Sequence, residues 1–168
     1  MISKNMKYSY LYKTIIAIFL VVVLQGCNSI VLISKYDDLT DKYLTTLQQS
    51  VSDFIDTLEQ QSGTDAAAFA KHQQTYNMFD QQIKQLEFRV AAIPKNDKTV
   101  DIVKNIRLSI LGNGGSPKDG SSLKDIHCLD DQNKNFCPSK AVLEICRRNI
   151  DQTISAALTL ELAKKTGQ

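Results

Sequence analysis

The sequence contains no tryptophan, and proline and histidine are scarce: three prolines and two histidines occur in 168 residues. Pro94, Pro117 and Pro138 all lie outside the stretches in which apolar residues recur at regular spacing. Because proline breaks the interior of a helix, these positions leave room for long uninterrupted helices. No stretch alternates apolar and polar residues convincingly enough to indicate a strand.

Motifs that carry common enzyme chemistry are also absent from the sequence. The chain has no G-x-S-x-G nucleophile turn, no H-E-x-x-H zinc pair and no glycine-rich phosphate loop between a strand and a helix. Clustered carboxylates such as Asp53 and Asp56 are explained by the solvent-exposed face of a helix. We therefore expect no enzymatic activity and no cofactor.

The chain begins with a leader that is first basic and then apolar. Its first thirteen residues contain three lysines and no acidic residue, and an apolar run over 15–24 follows. A charged segment, a short apolar run and small residues before a cleavage site are typical of a signal peptide. The run is shorter than the ~20 apolar residues that span a bilayer. We predict that 1–26 form a helical signal peptide, cleaved between Gly26 and Cys27.

The leader ends in the tetrapeptide Leu24-Gln25-Gly26-Cys27, which resembles the lipobox of bacterial lipoproteins. The resemblance implies a diacylglycerol on the Cys27 sulfur, cleavage before Cys27 and acylation of the new amino terminus, with palmitate among the chains. Asn28 follows in place of the aspartate that often retains such proteins in the inner membrane. The resemblance therefore implies a lipid anchor in the outer membrane, with the protein facing the periplasm. Several buried acyl chains make such an anchor effectively permanent.

Removal of the leader also changes the charge balance of the chain. The formal net charge is +2, and loss of the leader's three lysines lowers it to −1. No basic patch then remains to attract nucleic acid, so we expect no nucleic-acid partner. We expect 27–32 to be a short lipidated tether and 33–168 to be a single helical domain, which is long enough to bury a core.

Apolar residues recur at steps of three and four in four segments, a spacing typical of amphipathic helices that pack along a seam. The clearest pattern lies in the second segment, at Phe69, His72, Tyr76, Phe79, Ile83, Leu86, Val90 and Ile93. We predict an all-α fold in which four helices form a coiled-coil-like antiparallel bundle. The helices are expected over about 33–61, 65–92, 98–111 and 138–165.

Glycine, serine and asparagine predict a long loop over 112–137, with at most one helical turn near 123–128. The envelope outside the inner membrane is oxidising, so one disulfide among the remaining cysteines is expected to tether this loop. Cys137 and Cys146 would lie roughly 13 Å apart along one helix, which is too far for a bridge. Cys128–Cys137 and Cys128–Cys146 remain, and we favour Cys128–Cys137. Cys146 lies on the apolar stripe of the last helix and is expected to be a buried, inert free thiol.

The same region suggests two possible metal sites, and the spacing of the candidate ligands argues against both. His127 and the three cysteines lack the C-x₂-C or H-x₃-H pair that structural zinc sites usually show. The segment 131–135 resembles the start of a calcium loop. Phe136 then stands where the sharp turn needs glycine, and Val142 stands where a bidentate glutamate belongs. We expect no metal.

His72 is a polar residue in an otherwise apolar seam, between Phe69 and Tyr76. A single polar residue at such a position more often fixes helix register or oligomeric state than it binds a ligand. Tyr36, Tyr43 and Tyr76 also lie on inward faces, so their hydroxyl groups are expected near His72. The four side chains are our candidate for a buried polar seam or a pocket.

These features favour a structural or protein-interaction role at the membrane, with an envelope protein or a second copy of the chain as partner. The alternative is a ligand-binding or sensing module with a pocket near His72. A hydrolase of cell-wall material would fit the compartment but has no supporting motif. Beyond the leader, the chain resembles the many small helical lipoproteins of bacterial envelopes, a resemblance that implies no particular activity.

Overall fold

The computed structural model describes residues 33–113, 121–132 and 137–167. Within these ranges every regular element is helical and no strand is formed, so the all-α prediction is confirmed. The compact unit that contains them begins at Ile33. The predicted signal peptide and tether lie outside the described residues. The described elements are helices α1 (Asp38–Gln61), α2 (Phe69–Ala91), α3 (Asp97–Leu111), α4 (Leu123–Gln132) and α5 (Lys140–Thr166), with a 3₁₀ turn at Asp65–Ala67.

The long helices alternate in direction along the chain. α1 and α3 each pack against both α2 and α5, and the short helix α4 packs against α2 and α3. We call one extremity of this unit the tether end; it comprises 33–37, the turn 92–96 and the last turn of α5. The opposite extremity, which we call the far end, contains α4 and the turn between α1 and α2. Short connections between α1, α2 and α3 explain the alternation, because they leave room only for antiparallel neighbours.

Seam positions predicted from the apolar spacing form the core. On α2, Phe79, Ile83, Leu86 and Val90 are all fully buried. The other long helices contribute further buried apolar side chains: Leu44, Leu47, Ile55, Leu58, Val103, Ile106, Ile110, Leu143, Ile150, Ile154 and Ala157. Each apolar stripe is therefore covered by the other helices of the same chain, and burial of the stripes does not require a second copy.

Polar caps set where the helices begin. The Asp37 carboxylate accepts from the backbone N–H of Thr40 at 2.9 Å, so α1 begins at Asp38 rather than at residue 33. Gly63, with a φ of 80°, and the 3₁₀ turn delay the start of α2 from the predicted residue 65 to Phe69. The predicted bounds of the long helices are otherwise correct to within about two residues.

Within the predicted loop over 112–137, α4 extends beyond the single helical turn expected near 123–128. The Ser122 hydroxyl caps this helix by accepting from the backbone N–H of Asp125 at 3.0 Å. Leu123 and His127, one helical turn apart, provide its buried face. The described residues therefore form five helices rather than four. No disulfide is found among them, and the Cys128–Cys137 pairing stays a prediction.

An ion pair joins the start of α1 to the last turn of α2. Arg89 Nε lies 3.0 Å from Asp37 Oδ2, and a second guanidinium nitrogen contacts the other carboxylate oxygen. The Arg89 guanidinium, followed by the bonds from Thr40, holds the pKa of the Asp37 carboxyl well below its usual value. The stabilisation is therefore fully present above the unfolded-state pKa of about 3.9 and is lost as pH falls toward the folded-state pKa.

We predict that Asp37→Asn lowers the free energy of unfolding near neutral pH by about 1 kcal/mol, because asparagine keeps the helix cap but loses the ion pair. The variant should also lose less stability on acidification than the wild type does. Urea unfolding at a series of pH values measures both effects. Asp101→Asn is the control, since Asp101 lies in an exposed pair with Lys104. Parallel acid profiles for Asp37→Asn and the wild type would contradict the prediction.

Candidate functional site

The residues with the most specific sequence signal, Gly26 and Cys27, lie outside the described residues. Their assignment as cleavage and lipidation sites stays a prediction. None of the helices in the ranges 33–113, 121–132 and 137–167 is long and apolar enough to cross a membrane. Two polar centres inside the helical unit, one at each end, remain as candidate sites.

The centre at the far end is a cluster of aromatic and imidazole rings. His72 and Tyr76 lie one turn apart on α2, and the Phe54 ring of α1 lies 5.3 Å from each of them. The His127 ring of α4 lies 5.9 Å from both. Phe69 contacts His127 edge-on at 5.5 Å. Three helices and the turn before α2 therefore meet around His127.

Hydrogen bonds fix the orientation of the buried His127 ring. Its Nε2 lies 2.7 Å from the carbonyl oxygen of Ala67, which can only accept, so Nε2 carries the proton. Its Nδ1 lies 2.9 Å from the Tyr76 hydroxyl, which therefore donates to it. Burial raises the pKa of the Tyr76 phenol well above its usual value, and the phenol keeps the proton that it donates. This chain of bonds ties α4 and the 3₁₀ turn to α2.

Only part of the predicted histidine and tyrosine group comes together. His72 and Tyr76 share the cluster, and His72 Nε2 lies 3.0 Å from the carbonyl oxygen of Ala66. Tyr36 lies at the tether end, where its hydroxyl donates to Asp41 at 2.8 Å. Tyr43 lies eleven residues before Phe54 on α1, which places it about 16 Å along the helix axis from the ring cluster. His72 itself is partly exposed, with the Phe54 and His127 rings packed against it.

The far end also has an open cleft between α2, α3 and α4. Its volume is about 380 Å³, and its lining includes Tyr76, Asp80, Arg107 and Lys124. The Arg107 guanidinium binds Glu87 through two nitrogens, at 2.6 and 2.9 Å, and Asp80 through the third, at 2.7 Å. Both carboxylates lie on α2. The guanidinium is therefore occupied in joining α3 to α2, and it is not available to a ligand of the cleft.

The centre at the tether end is a buried ion pair. Glu161 and Lys164 of α5 expose only 1% and 4% of their surface. Lys164 Nζ donates to Asn96 Oδ1 at 2.6 Å, to Thr99 Oγ1 at 2.8 Å and to the Glu161 carboxylate. Thr99 donates in turn to Glu161 Oε1 at 3.1 Å. All three ammonium protons are thus used, while Glu161 Oε2 has no protein partner in the described part of the chain.

The same network holds the segment that precedes α1. The Ser34 hydroxyl donates to Asn96 Oδ1 at 2.8 Å, and the Ser34 backbone N–H donates to the Lys95 carbonyl at 3.0 Å. Asn96 Nδ2 donates to the Val90 carbonyl at 3.0 Å. The network therefore connects the start of the domain to the turn between α2 and α3 and to the last turns of α5.

Sequence reasoning missed the roles of Glu161 and Lys164. The stripe of α5 continues beyond Ile154 and Ala157 in steps of four and three to reach both residues. That spacing was a usable signal, but charged residue types suggested solvent exposure. His127 was weighed only as a zinc ligand, although its spacing from Leu123 indicates the same inward face.

Buried sulfur atoms lie near the far-end cluster. Cys137 and Cys146 are both buried, and Cys137 Sγ lies 3.3 Å from the carbonyl oxygen of Pro138. Burial raises the pKa of the Cys146 thiol, which disfavours the reactive thiolate and fits the inert role expected of it. Within the described ranges, no group of histidine, cysteine and acidic side chains is placed to hold a metal ion.

We predict that Lys164→Met lowers the free energy of unfolding by about 3–5 kcal/mol, because it leaves the Glu161 carboxylate buried without its ammonium partner. The double variant Lys164→Met, Glu161→Leu should recover at least about 1 kcal/mol of that loss, since both charges are then removed. Chemical denaturation checks both values, with the exposed Lys98→Met as control. A single variant as stable as the control would contradict the buried pair.

We predict that Tyr76→Phe destabilises the protein by about 1–3 kcal/mol, because His127 Nδ1 loses its buried donor. Tyr43→Phe is the matched control: the Tyr43 ring packs against the core but is only partly buried. Loss of its hydroxyl should change stability by less than about 0.5 kcal/mol. Equal effects of the two substitutions, measured by thermal and urea unfolding, would argue against the Tyr76–His127 bond.

No family model, curated protein or solved structure matches this chain. Function is therefore argued from the chain's own residues. The tether-end network and the far-end cluster indicate how its helices are held together.

Proposed function

We propose that this protein is a lipid-anchored protein of the bacterial cell envelope whose helical domain has a structural or protein-interaction role without catalysis. The observation that carries the proposal is the tetrapeptide Leu24-Gln25-Gly26-Cys27, placed after a signal-peptide-like leader and shortly before a compact helical unit. Lipid on Cys27 would hold the domain at the periplasmic face of the outer membrane.

The proposed architecture of the domain is an antiparallel four-helix bundle made of α1, α2, α3 and α5, with α4 packed on it at the far end. The pairwise packing of the long helices and their alternating direction support this arrangement. In the oxidising envelope, a Cys128–Cys137 disulfide would close a short ring beside α4. Such a bridge would add stability of order 2–3 kcal/mol.

The proposed partner is an envelope protein that contacts the solvent-exposed faces of the helices. The apolar stripes are already covered within the chain, so a partner would not have to bury them. Self-association through those stripes is correspondingly less favoured. His72 contacts the Phe54 and His127 rings and does not line the far-end cleft, so we do not propose a second function.

We predict that Cys27→Ser abolishes incorporation of radiolabelled palmitate into the full-length protein expressed in a diderm bacterium. The variant should also leave the membrane fraction or persist as an unprocessed precursor, because cleavage depends on the lipidated cysteine. Cys128→Ser is the matched control and should keep both label and membrane association. Palmitate labelling that survives Cys27→Ser would contradict the proposal, as would a wild-type protein that takes up no label.

A further inference from the structure

Large hydrophobic side chains are exposed around the tether end. Phe88 exposes 80% of its surface and Leu162 exposes 58%. Both lie about one helical turn from the end of their helix, and Leu39 lies in the first turn of α1. Ile33, just before α1, is also exposed. These four side chains therefore form a band about one turn, or roughly 6 Å, deep around this end of the domain. We call them the apolar band.

The apolar band surrounds the end rather than forming a patch on one side. α2 and α5 each pack against α1 and α3, so they stand across the core from one another. Phe88 of α2 and Leu162 of α5 both point away from the core and hence in different directions. A globular protein bound to one side of the bundle would cover only one of them. A planar surface that meets the bundle end-on would cover both.

Charges of both signs lie at the same end. Within the same depth, five lysines and three aspartates are exposed, and the partly exposed Asp37, Asp41, Glu87 and Arg89 offset that excess of lysine. Lysine stems can lie along apolar surface while the ammonium groups reach anionic phosphates. The lysines are Lys35, Lys42, Lys95, Lys98 and Lys165, and the aspartates are Asp38, Asp97 and Asp101.

The chain between Cys27 and the domain is short. Residues 28–32 separate Cys27 from Ile33, and six residue steps span at most about 20 Å. Ser34 is hydrogen-bonded to Lys95 and Asn96. The residues from Ile33 onward therefore cannot lengthen the tether unless these buried hydrogen bonds break. If Cys27 carries lipid, the tether end is the part of the domain nearest to the membrane.

We propose that the tether end is a membrane-contact surface in its own right, in which the apolar band sits at the headgroup level of a phospholipid leaflet. The exposed lysines contact the lipid phosphates, and the helices stand end-on to the membrane. This inference rests on the proposed lipid anchor at Cys27. The far end, with α4 and the His127 cluster, then faces away from the leaflet toward envelope partners.

The absence of tryptophan from the chain allows a direct test. Phe88→Trp and Leu162→Trp each introduce a single indole into the apolar band. The control is Ile145→Trp, because Ile145 is 52% exposed on α5 near the far end. The lipidated full-length variants are reconstituted into vesicles of phosphatidylethanolamine and phosphatidylglycerol, with and without lipids brominated near the headgroup. Circular dichroism checks that each variant keeps its helices.

Emission from both band variants should shift to shorter wavelength and lose most of its intensity with brominated lipid, while the control does neither. Flotation of the proteoliposomes tests the anchor separately. Variants that float but emit like the control would overturn the contact surface and leave the anchor intact. Quenching of only one band variant would overturn the end-on orientation. Protein that fails to float would remove the anchor and this inference together.

Discussion

Burial of the Lys164 ammonium beside the Glu161 carboxylate constrains the tether end of the domain. Removal of two charges from water costs several kcal/mol unless each charge is paired and hydrogen-bonded. Here the ammonium is satisfied only when Asn96 and Thr99 are in place beside the last turns of α5. Ser34 binds the same asparagine. The network therefore couples three separate segments and disfavours any register of α5 that would leave either charge unpaired.

Much of the fold could be predicted from spacing alone. Steps of three and four identified the seam of α2 from Tyr76 to Val90, and these residues form the core. The long helices were placed within a few residues because glycine and proline mark their boundaries. Only one turn of α4 was predicted because its segment is short and polar, and its stability depends on Ser122 and on burial of His127 against α2. Such tertiary stabilisation leaves little trace in local sequence.

The candidate sites were harder to predict because they depend on which turns of different helices meet. The inward faces of Tyr36, Tyr43 and His72 suggested one group, but inward direction does not specify position along the helix axes. The antiparallel arrangement brings Phe54 and His127 to His72 and leaves Tyr36 at the opposite end. Burial of Glu161 and Lys164 could have been predicted from the apolar spacing of α5. The general rule that charged residues are exposed to solvent argued against it.

The proposed lipid on Cys27 could orient the domain only if the segment before α1 is held firmly. Hydrogen exchange at the Ser34 amide of the full-length protein measures this directly. Its N–H donates to the Lys95 carbonyl inside the tether-end network. Exchange as slow as that of a core amide such as Ile83 is expected, with faster exchange in Lys164→Met. Exchange of Ser34 at the rate of an unstructured peptide would contradict a fixed tether end.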